Sequence, residues 1–314
     1  TDEIGDTWIH GIGSDPKKAT QFRALERFYA VLPEGADKET LAQKLLMIPE
    51  HTWGLNGQRN LRDHEFFQRS VFEKKRRSDP VFKRMEASWE EQRRYLLDGV
   101  SSLTEENRIK AEKLMEEAKR RPIAEGQGIE YSETLLPGEK ITFGGCTLRF
   151  NRRGEIDLLE KNGHILADQS HRLLTLRYEQ FCEGDYQRFM DRYNRLDMEW
   201  PWEDFTKIGM NQGIDSYRRY EAESVGIYLW KDKLMVTYSF PEGASRECGC
   251  PGQFDLIITA CEDGLFFDLA WFQKPVNRMA EAIWLGFRPM AEGKTVQKLG
   301  QLIDPVKVVK NGQC

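Results

Sequence analysis

Apolar positions recur every three or four residues through the first third of the chain and every second residue after that, which predicts helices first and strands second. Phe22, Leu25, Phe28, Tyr29 and Leu32 mark one buried face behind Asp15-Pro16, where the aspartate caps a helix and the proline takes its first turn. After Pro33-Glu34-Gly35 a second helix begins near Asp37 and carries Leu41, Leu45 and Leu46 to Ile48. A third helical stretch is expected from about Asn60 to Arg77, ended by Ser78-Asp79-Pro80, which caps a fourth bearing Val81, Phe82, Met85, Trp89, Tyr95 and Leu96. A fifth opens at Ser102 or Thr104, holds Ile109, Leu114, Met115 and Ala118, and stops at Arg121-Pro122. Several long helices with short connections imply a helical bundle.

From about residue 123 the period becomes two. Ile141 and Phe143, then Leu148 and Phe150, lead to the turn Asn151-Arg152-Arg153-Gly154, beyond which Ile156 and Leu158 return as the other arm of a hairpin. The same alternation runs through Gly226 to Trp230, Leu234 to Phe240, Phe254 to Cys261 and Leu265 to Phe272. Many short strands separated by turn residues predict an antiparallel β-sandwich, so the fold class expected is α+β, helical bundle first and sandwich second. The Gly- and Pro-rich stretch from Pro122 to Gly138 marks the boundary. Trp200, Trp202, Trp230, Trp271 and Trp284 fall in the β part and are expected in its interior.

Composition narrows the classes of function. With 314 residues, 39% hydrophobic and 31% charged, the chain can bury two cores, and disorder is excluded. A net charge of −5 argues against nucleic acid as a partner. The basic runs Lys74-Lys75-Arg76-Arg77 and Lys119-Arg120-Arg121 are flanked by glutamates and read as solvated helix faces. No apolar run reaches the roughly 18 residues of a membrane span and no secretory leader pattern opens the chain, so a soluble protein without a membrane partner is expected. The chain opens at Thr1 with an acidic stretch leading into a strand-like segment, as a cut inside a longer protein would. The six cysteines, Cys146, Cys182, Cys248, Cys250, Cys261 and Cys314, follow no disulfide framework. They read as free thiols, leaning towards a reducing, cytoplasmic compartment. Cys248-Gly249-Cys250 is too closely spaced for an easy zinc pair and has no neighbouring pair to complete four ligands.

Two stretches are dense in candidate chemistry. His51 sits in Ile48-Pro49-Glu50-His51-Thr52-Trp53-Gly54-Leu55, between helices and beside aromatic and glycine residues, a setting that suits a ligand better than a core. The other is Gly5-Asp6-Thr7-Trp8-Ile9-His10-Gly11-Ile12-Gly13-Ser14-Asp15-Pro16, a short strand running through a glycine turn into a helix cap. His10 is the next candidate ligand, whereas His64, His164 and His171 stand in polar surroundings and read as exposed.

These stretches, with Trp271 to Arg278, Glu281-Ala282-Ile283-Trp284, Lys298-Leu299-Gly300 and Asp304-Pro305, resemble glycoside hydrolase family 38, the zinc-dependent α-mannosidases, and most closely an uncharacterised bacterial and fungal branch of unknown function. In such enzymes a β/α barrel precedes a helical bundle and β-sandwich domains. The resemblance therefore implies that residues 1–14 are the last strand and loop of a missing N-terminal barrel, 15–122 the bundle, 123–138 a linker and 139–314 the sandwich. The family's barrel carries a His-x-Asp pair, an aspartate that is nucleophile and zinc ligand, and the general acid; none of these is in this chain, so no catalytic residue is expected here. By the same resemblance His51 holds the position of a further zinc-binding histidine supplied by the bundle. Its neighbour is Thr52 where the family has an aspartate that grips a sugar hydroxyl, which puts mannose specificity in doubt. Trp8 keeps the family's spacing of a sugar-binding tryptophan eight residues before Pro16, although Asp15 replaces the usual arginine.

The implied function is the C-terminal portion of a zinc-dependent retaining glycoside hydrolase, acting on α-glycosidic bonds when intact and inactive alone. Retaining hydrolysis needs two carboxylates about 5 Å apart, and zinc would polarise and hold ring hydroxyls. The metal position is His51 and the substrate-binding positions are Trp8, Thr52 and Trp53; Glu50 and Trp53 flank the imidazole either to orient it or, as the plainer reading, to pack and cap. Zinc or another divalent cation is expected in the intact protein and none in this fragment; the partners expected are a carbohydrate and the missing barrel. A non-catalytic carbohydrate-binding or scaffolding protein is the alternative, favoured by Thr52, and a purely structural or oligomerising unit is a third.

Overall fold

The computed structural model describes residues 15–48, 54–55, 60–61, 65–119, 133–193, 216–230, 232–262, 264–298 and 301–304. The expected barrel remnant at 1–14 lies outside them, as does most of the expected linker. Within the described residues the chain is a mixed α+β protein with helices concentrated in its first part.

Helix α1 (Pro16–Val31) starts as its sequence dictates: Asp15 accepts the Lys18 N–H at 3.2 Å and Pro16 occupies the first turn. Helices α2 (Ala36–Leu46), α3 (Arg69–Ser78), α4 (Pro80–Ser101) and α5 (Glu105–Glu117) follow. Asp79 caps α4 by accepting the Val81 N–H at 2.9 Å. Thr104, at the cap position of α5, instead donates its hydroxyl to Asp37 of α2 at 2.6 Å, and Asn107 donates to the same carboxylate at 2.6 Å. These bonds hold the Asp37 carboxyl below the usual carboxylate range and tie α2 to α5. Leu25, Phe28, Leu41, Leu45, Leu96 and Met115 form the helical core.

The third helix is shorter than its periodicity predicts. Phe66 takes a left-handed φ of 62° and Phe67 is buried in the core of the sheets, so α3 cannot begin before Arg69. The basic run is drawn into pairs with Glu73, Asp79 and Glu86, the charge-interspersed surface expected of it.

Fourteen strands are described. Strand β1 (Glu133–Thr134) lies inside the stretch expected as linker, and Leu135 after it is buried at 7% exposure. Strands β2 (Lys140–Phe143), β3 (Cys146–Phe150), β4 (Ile156–Lys161), β5 (His164–Ala167) and β6 (Leu173–Gln180) follow. Helix α6 (Glu183–Tyr193) then interrupts them before β7 (Arg218–Glu221), β8 (Glu223–Trp230) and β9 (Lys233–Ser239). Helix α7 (Glu242–Cys248) precedes β10 (Gln253–Cys261), β11 (Gly264–Phe272), β12 (Glu281–Phe287), β13 (Val296–Lys298) and β14 (Gln301–Ile303). Helix α6 presents Tyr186, Phe189 and Met190 at spacings of three and four, a signal present in the sequence, whereas the seven-residue α7 is too short to show a period.

One antiparallel sheet has the order β1-β8-β9-β10-β11. The other, of seven strands, runs β12-β6-β4-β3-β2 with β5 beside β4 and β7 beside β6. Their inner faces share one core: Leu148, Ile156 and Tyr178 of the larger sheet meet Val236, Phe254 and Leu256 of the smaller. Tyr238 crosses between them, donating its hydroxyl to the Gly154 carbonyl at 2.9 Å. The helices join the sheets at Arg278, whose guanidinium lies 4.4 Å from the Phe67 ring centroid, 5.4 Å from Phe82 and 6.0 Å from Phe72, and donates to the Glu65 carbonyl at 2.6 Å.

Candidate functional site

The residues singled out as metal or sugar contacts, His51, Trp8, Thr52 and Trp53, lie outside the described residues, as do His10, Glu50, His64, Trp200 and Trp202. The chain on either side of the His51 stretch is held firmly. Ile48 is 1% exposed in the helical core, while Leu55 donates its N–H to Ser88 Oγ of α4 at 3.1 Å. Gly54 has a φ of 69° and passes so close to α4 that an added Cβ would lie 2.5 Å from Ser88 Oγ, so only glycine fits. His164 is exposed as expected; His171 is half-buried, its Nδ1 3.0 Å from Asp168 Oδ1.

Among the described residues no three His, Cys, Asp or Glu side chains are grouped as a metal site would require. Cys248 and Cys250 have no third ligand beside them among the described residues. Burial pushes Cys250 up to about 12, leaving it a neutral thiol, and Cys248 Sγ faces the Tyr220 hydroxyl at 3.7 Å and the Arg218 guanidinium at 3.8 Å. The cysteines among the described residues are all free.

Around that turn lies a buried polar hub. Gly249, with a φ of 85°, ends α7 in the left-handed conformation and turns the Cys248 carbonyl towards three donors. They are the Tyr178 hydroxyl at 2.7 Å, Asn277 Nδ2 at 2.7 Å and Gln180 Nε2 at 2.9 Å. Glu281 accepts from Tyr178 and pairs with Lys274 at 2.6 Å. Lys274, Asn277, Arg278 and Glu281 all come from the 271–284 stretch that carried the family resemblance, and their visible work is to lock this turn and the joint to the helices.

The opposite face of the same strands is exposed chemistry. At the start of β6, Leu174 has a φ of 67° and is the extra residue facing the Gly286/Phe287 step of β12, a bulge that buries both Leu173 and Leu174. Beyond it, Thr175, Arg177 and Glu179 point outward while Leu176, Tyr178 and Gln180 point in. Register places Trp284 of β12 opposite Arg177, and Ala282 and Gly286 opposite Glu179 and Thr175. On the other side of β6, Glu221 stands opposite Arg177 and Arg219 opposite Glu179, so opposite charges face each other across the pair.

Glu179 is 6% exposed although it faces outward. It accepts Trp284 Nε1 at 2.9 Å, pairs with Arg177 Nε at 3.1 Å and bonds the Tyr217 hydroxyl. Loss of solvent and that bond raise the Tyr217 phenol above its ordinary value. Trp284 and Tyr217 nonetheless remain 45% and 41% exposed. The Arg177 guanidinium lies 5.4 Å from the indole centroid, covering one face of the ring.

The expectation that Trp271 and Trp284 are interior is corrected, since they are 41% and 45% exposed, and Trp230 is half-buried. Alternation could have placed Trp284. Glu281, Ile283 and Leu285 share one face of β12, and Ala282, Trp284 and Gly286 the other.

Fold and site together define a protein of packed helices and two antiparallel sheets with an aromatic and charged face on the larger sheet. The family model described as "Domain of unknown function (DUF5054)" matches residues 12–262, and the chain belongs to that family. Comparison with curated proteins finds no match. No helix among the described residues is long and apolar enough to cross a membrane.

Proposed function

We propose that this chain is the portion of a zinc-dependent retaining glycoside hydrolase, similar to α-mannosidases, that follows the catalytic barrel. In this reading residues 15–122 are a helical bundle and 139–314 a β-sandwich. His51 supplies a zinc ligand, and Trp8, Thr52 and Trp53 line the sugar pocket. The single supporting observation is the order of elements: helices run to Glu117, and antiparallel strands sharing one core begin at Glu133. That is the order of such a hydrolase once its barrel is removed. A further domain would also cover Val31, Leu46, Met47 and Leu97 of the helices, which are between 58% and 77% exposed.

The experiment is an assay of the full-length protein on aryl α-glycosides, with and without a chelator. Hydrolysis that stops on chelation and returns with zinc is expected; no turnover by the metal-replete protein ends the hydrolase reading. The chain alone is expected to bind zinc weakly or not at all, because one histidine cannot replace a four-ligand site, and stoichiometric micromolar binding would contradict this.

A second reading, a non-catalytic carbohydrate-binding protein, is favoured by the Trp284 face, which offers a flat exposed ring without the spaced carboxylate pair of a glycosidase.

A further inference from the structure

We propose that the outer face of the β12-β6-β7 strands is a binding site for a neutral hexopyranose, with Trp284 as the stacking platform and Tyr217 beside it. The proposal deepens the carbohydrate reading above by naming the surface that takes the sugar.

Two exposed aromatic side chains share one nearly buried acceptor. Trp284 Nε1 donates to Glu179 Oε2 at 2.9 Å, and the Tyr217 hydroxyl bonds the same carboxylate. A carboxylate that is 6% exposed and held by Arg177 cannot follow the rings outward, so it fixes both of them. An indole fixed in this way loses little freedom when a ligand stacks on it.

The shape of the strand leaves room for that ligand. The outward neighbours of Trp284 along β12 are Ala282 and Gly286, so no large side chain of its own strand flanks the ring. Thr175 Oγ1 already occupies the place a Gly286 Cβ would take, at 2.2 Å. Arg177 covers one face of the indole, and the exposed part offers its other face to the C–H face of a pyranose.

Charge selects the ligand. Arg177 and Arg219 are matched by Glu179 and Glu221: Arg219 pairs with Glu221 at 2.5 Å and Arg177 with Glu179 at 3.1 Å. The face is therefore balanced, without the excess of positive charge that a phosphate or an acidic sugar would need. Half-exposed arginine and glutamate groups at the rim can donate to and accept from hydroxyls, the pattern a neutral sugar presents.

The test is affinity electrophoresis of the chain through gels containing yeast mannan, dextran, hydroxyethylcellulose or heparin. Retardation in at least one neutral polysaccharide is expected. Trp284→Ala should lower the apparent affinity roughly tenfold, as loss of one well-placed aromatic stack does. Trp284→Phe, which keeps a ring but not the Nε1 donor, should fall between, and Trp271→Ala, equally exposed but on the other sheet, should bind as the parent. Circular dichroism confirms that each variant is folded; the phenylalanine variant carries the test if the alanine variant is not. Retardation by heparin alone, equal retention by parent and Trp284 variants, or no retention in any neutral gel would overturn the proposal. These outcomes are independent of the glycoside assay, because sugar can be held on this face with or without turnover by the full-length protein.

Discussion

The helical part and the two sheets bury their apolar surface in different ways. Among the described residues, the sheets assemble a continuous core of 25 buried side chains, whereas the main helical cluster has 11. The helices compensate with polar ties. Arg93 pairs with Asp15 to join α4 to the start of α1, Arg76 pairs with Glu86 to join α3 to α4, and Asp37 gathers Thr104 and Asn107. They even bury Lys18, which is 0% exposed. The sheets bury carboxylates as well, Asp255 at 1%, Glu155 at 5% and Glu179 at 6% exposure, but within the larger apolar core. A thin core held by specific ties makes the helices the more sensitive part to single changes, and the thicker core makes the sheets the rigid support on which a preorganised surface can sit.

The largest test of this contrast is a pair of core truncations. Phe254→Ala removes a fully buried ring from between the sheets and should cost about 3–5 kcal/mol, and Leu25→Ala about 2–5 kcal/mol in the helices. In denaturant titrations followed by hydrogen exchange, Leu25→Ala should expose the helical amides first and leave the sheets protected. Equal loss of protection in both regions would show a single cooperative unit and erase the distinction.

A smaller effect probes the joint. Arg278→Ala removes a cation from three phenylalanine rings and one carbonyl bond, and should cost about 1–2 kcal/mol. Exchange should quicken in α3 and the first turns of α4 while the inner strands stay protected. Unchanged exchange there would mean that Phe67 and the Arg69 bond to the Arg246 carbonyl at 3.0 Å hold the regions together without Arg278.

The smallest effect is a slope. Burial lowers Lys18 from 10.5 to about 8, against the opposing pull of Asp15. Between about pH 8 and 10.5 the folded protein has released a proton that the unfolded chain still holds, so this group makes stability rise with pH across that interval. Below it, the cost of the buried charge is present in full. Lys18→Met should therefore stabilise the helices at neutral pH and flatten the rise. Unfolding midpoints measured on both sides of the interval check this, and a slope equal to that of the parent would refute it.

Much of the helical part was legible in the chain. Asp15-Pro16 and Asp79-Pro80 are signals that act within one turn, and both caps form as read. The hairpin at Asn151-Gly154 was equally local, with Asn151 N–H donating to the Glu155 carbonyl at 2.9 Å. The start of α3 was not legible, because what pulls Phe67 out of the helix is a core assembled from strands far along the chain. Helix α7 is too short to announce itself by period, but α6 was legible in Tyr186, Phe189 and Met190 and is missing from the expected elements.

The Trp284 face shows where reading stops. Alternation along Glu281 to Phe287 contains the direction of the tryptophan, but the tendency of large aromatic residues to be buried argued the other way. Arg177, two residues away, is a local partner of Glu179; the groups that cover its carboxylate, Tyr217 and Trp284, come from far along the chain.

The chain by itself determined the change from period four to period two, the helix caps at Asp15 and Asp79 and the hairpin at Asn151-Gly154, because each follows from neighbours within a few residues. Only the tertiary structure decided that Arg278 would lodge among three phenylalanines, that the Cys248 carbonyl would collect three donors, and that Glu179 would fix Trp284 and Tyr217 on an open face. The physical reason is that hydrogen bonds, cation contacts and burial depend on distance in space, and strand pairing brings together residues whose separation along the chain carries no record of it.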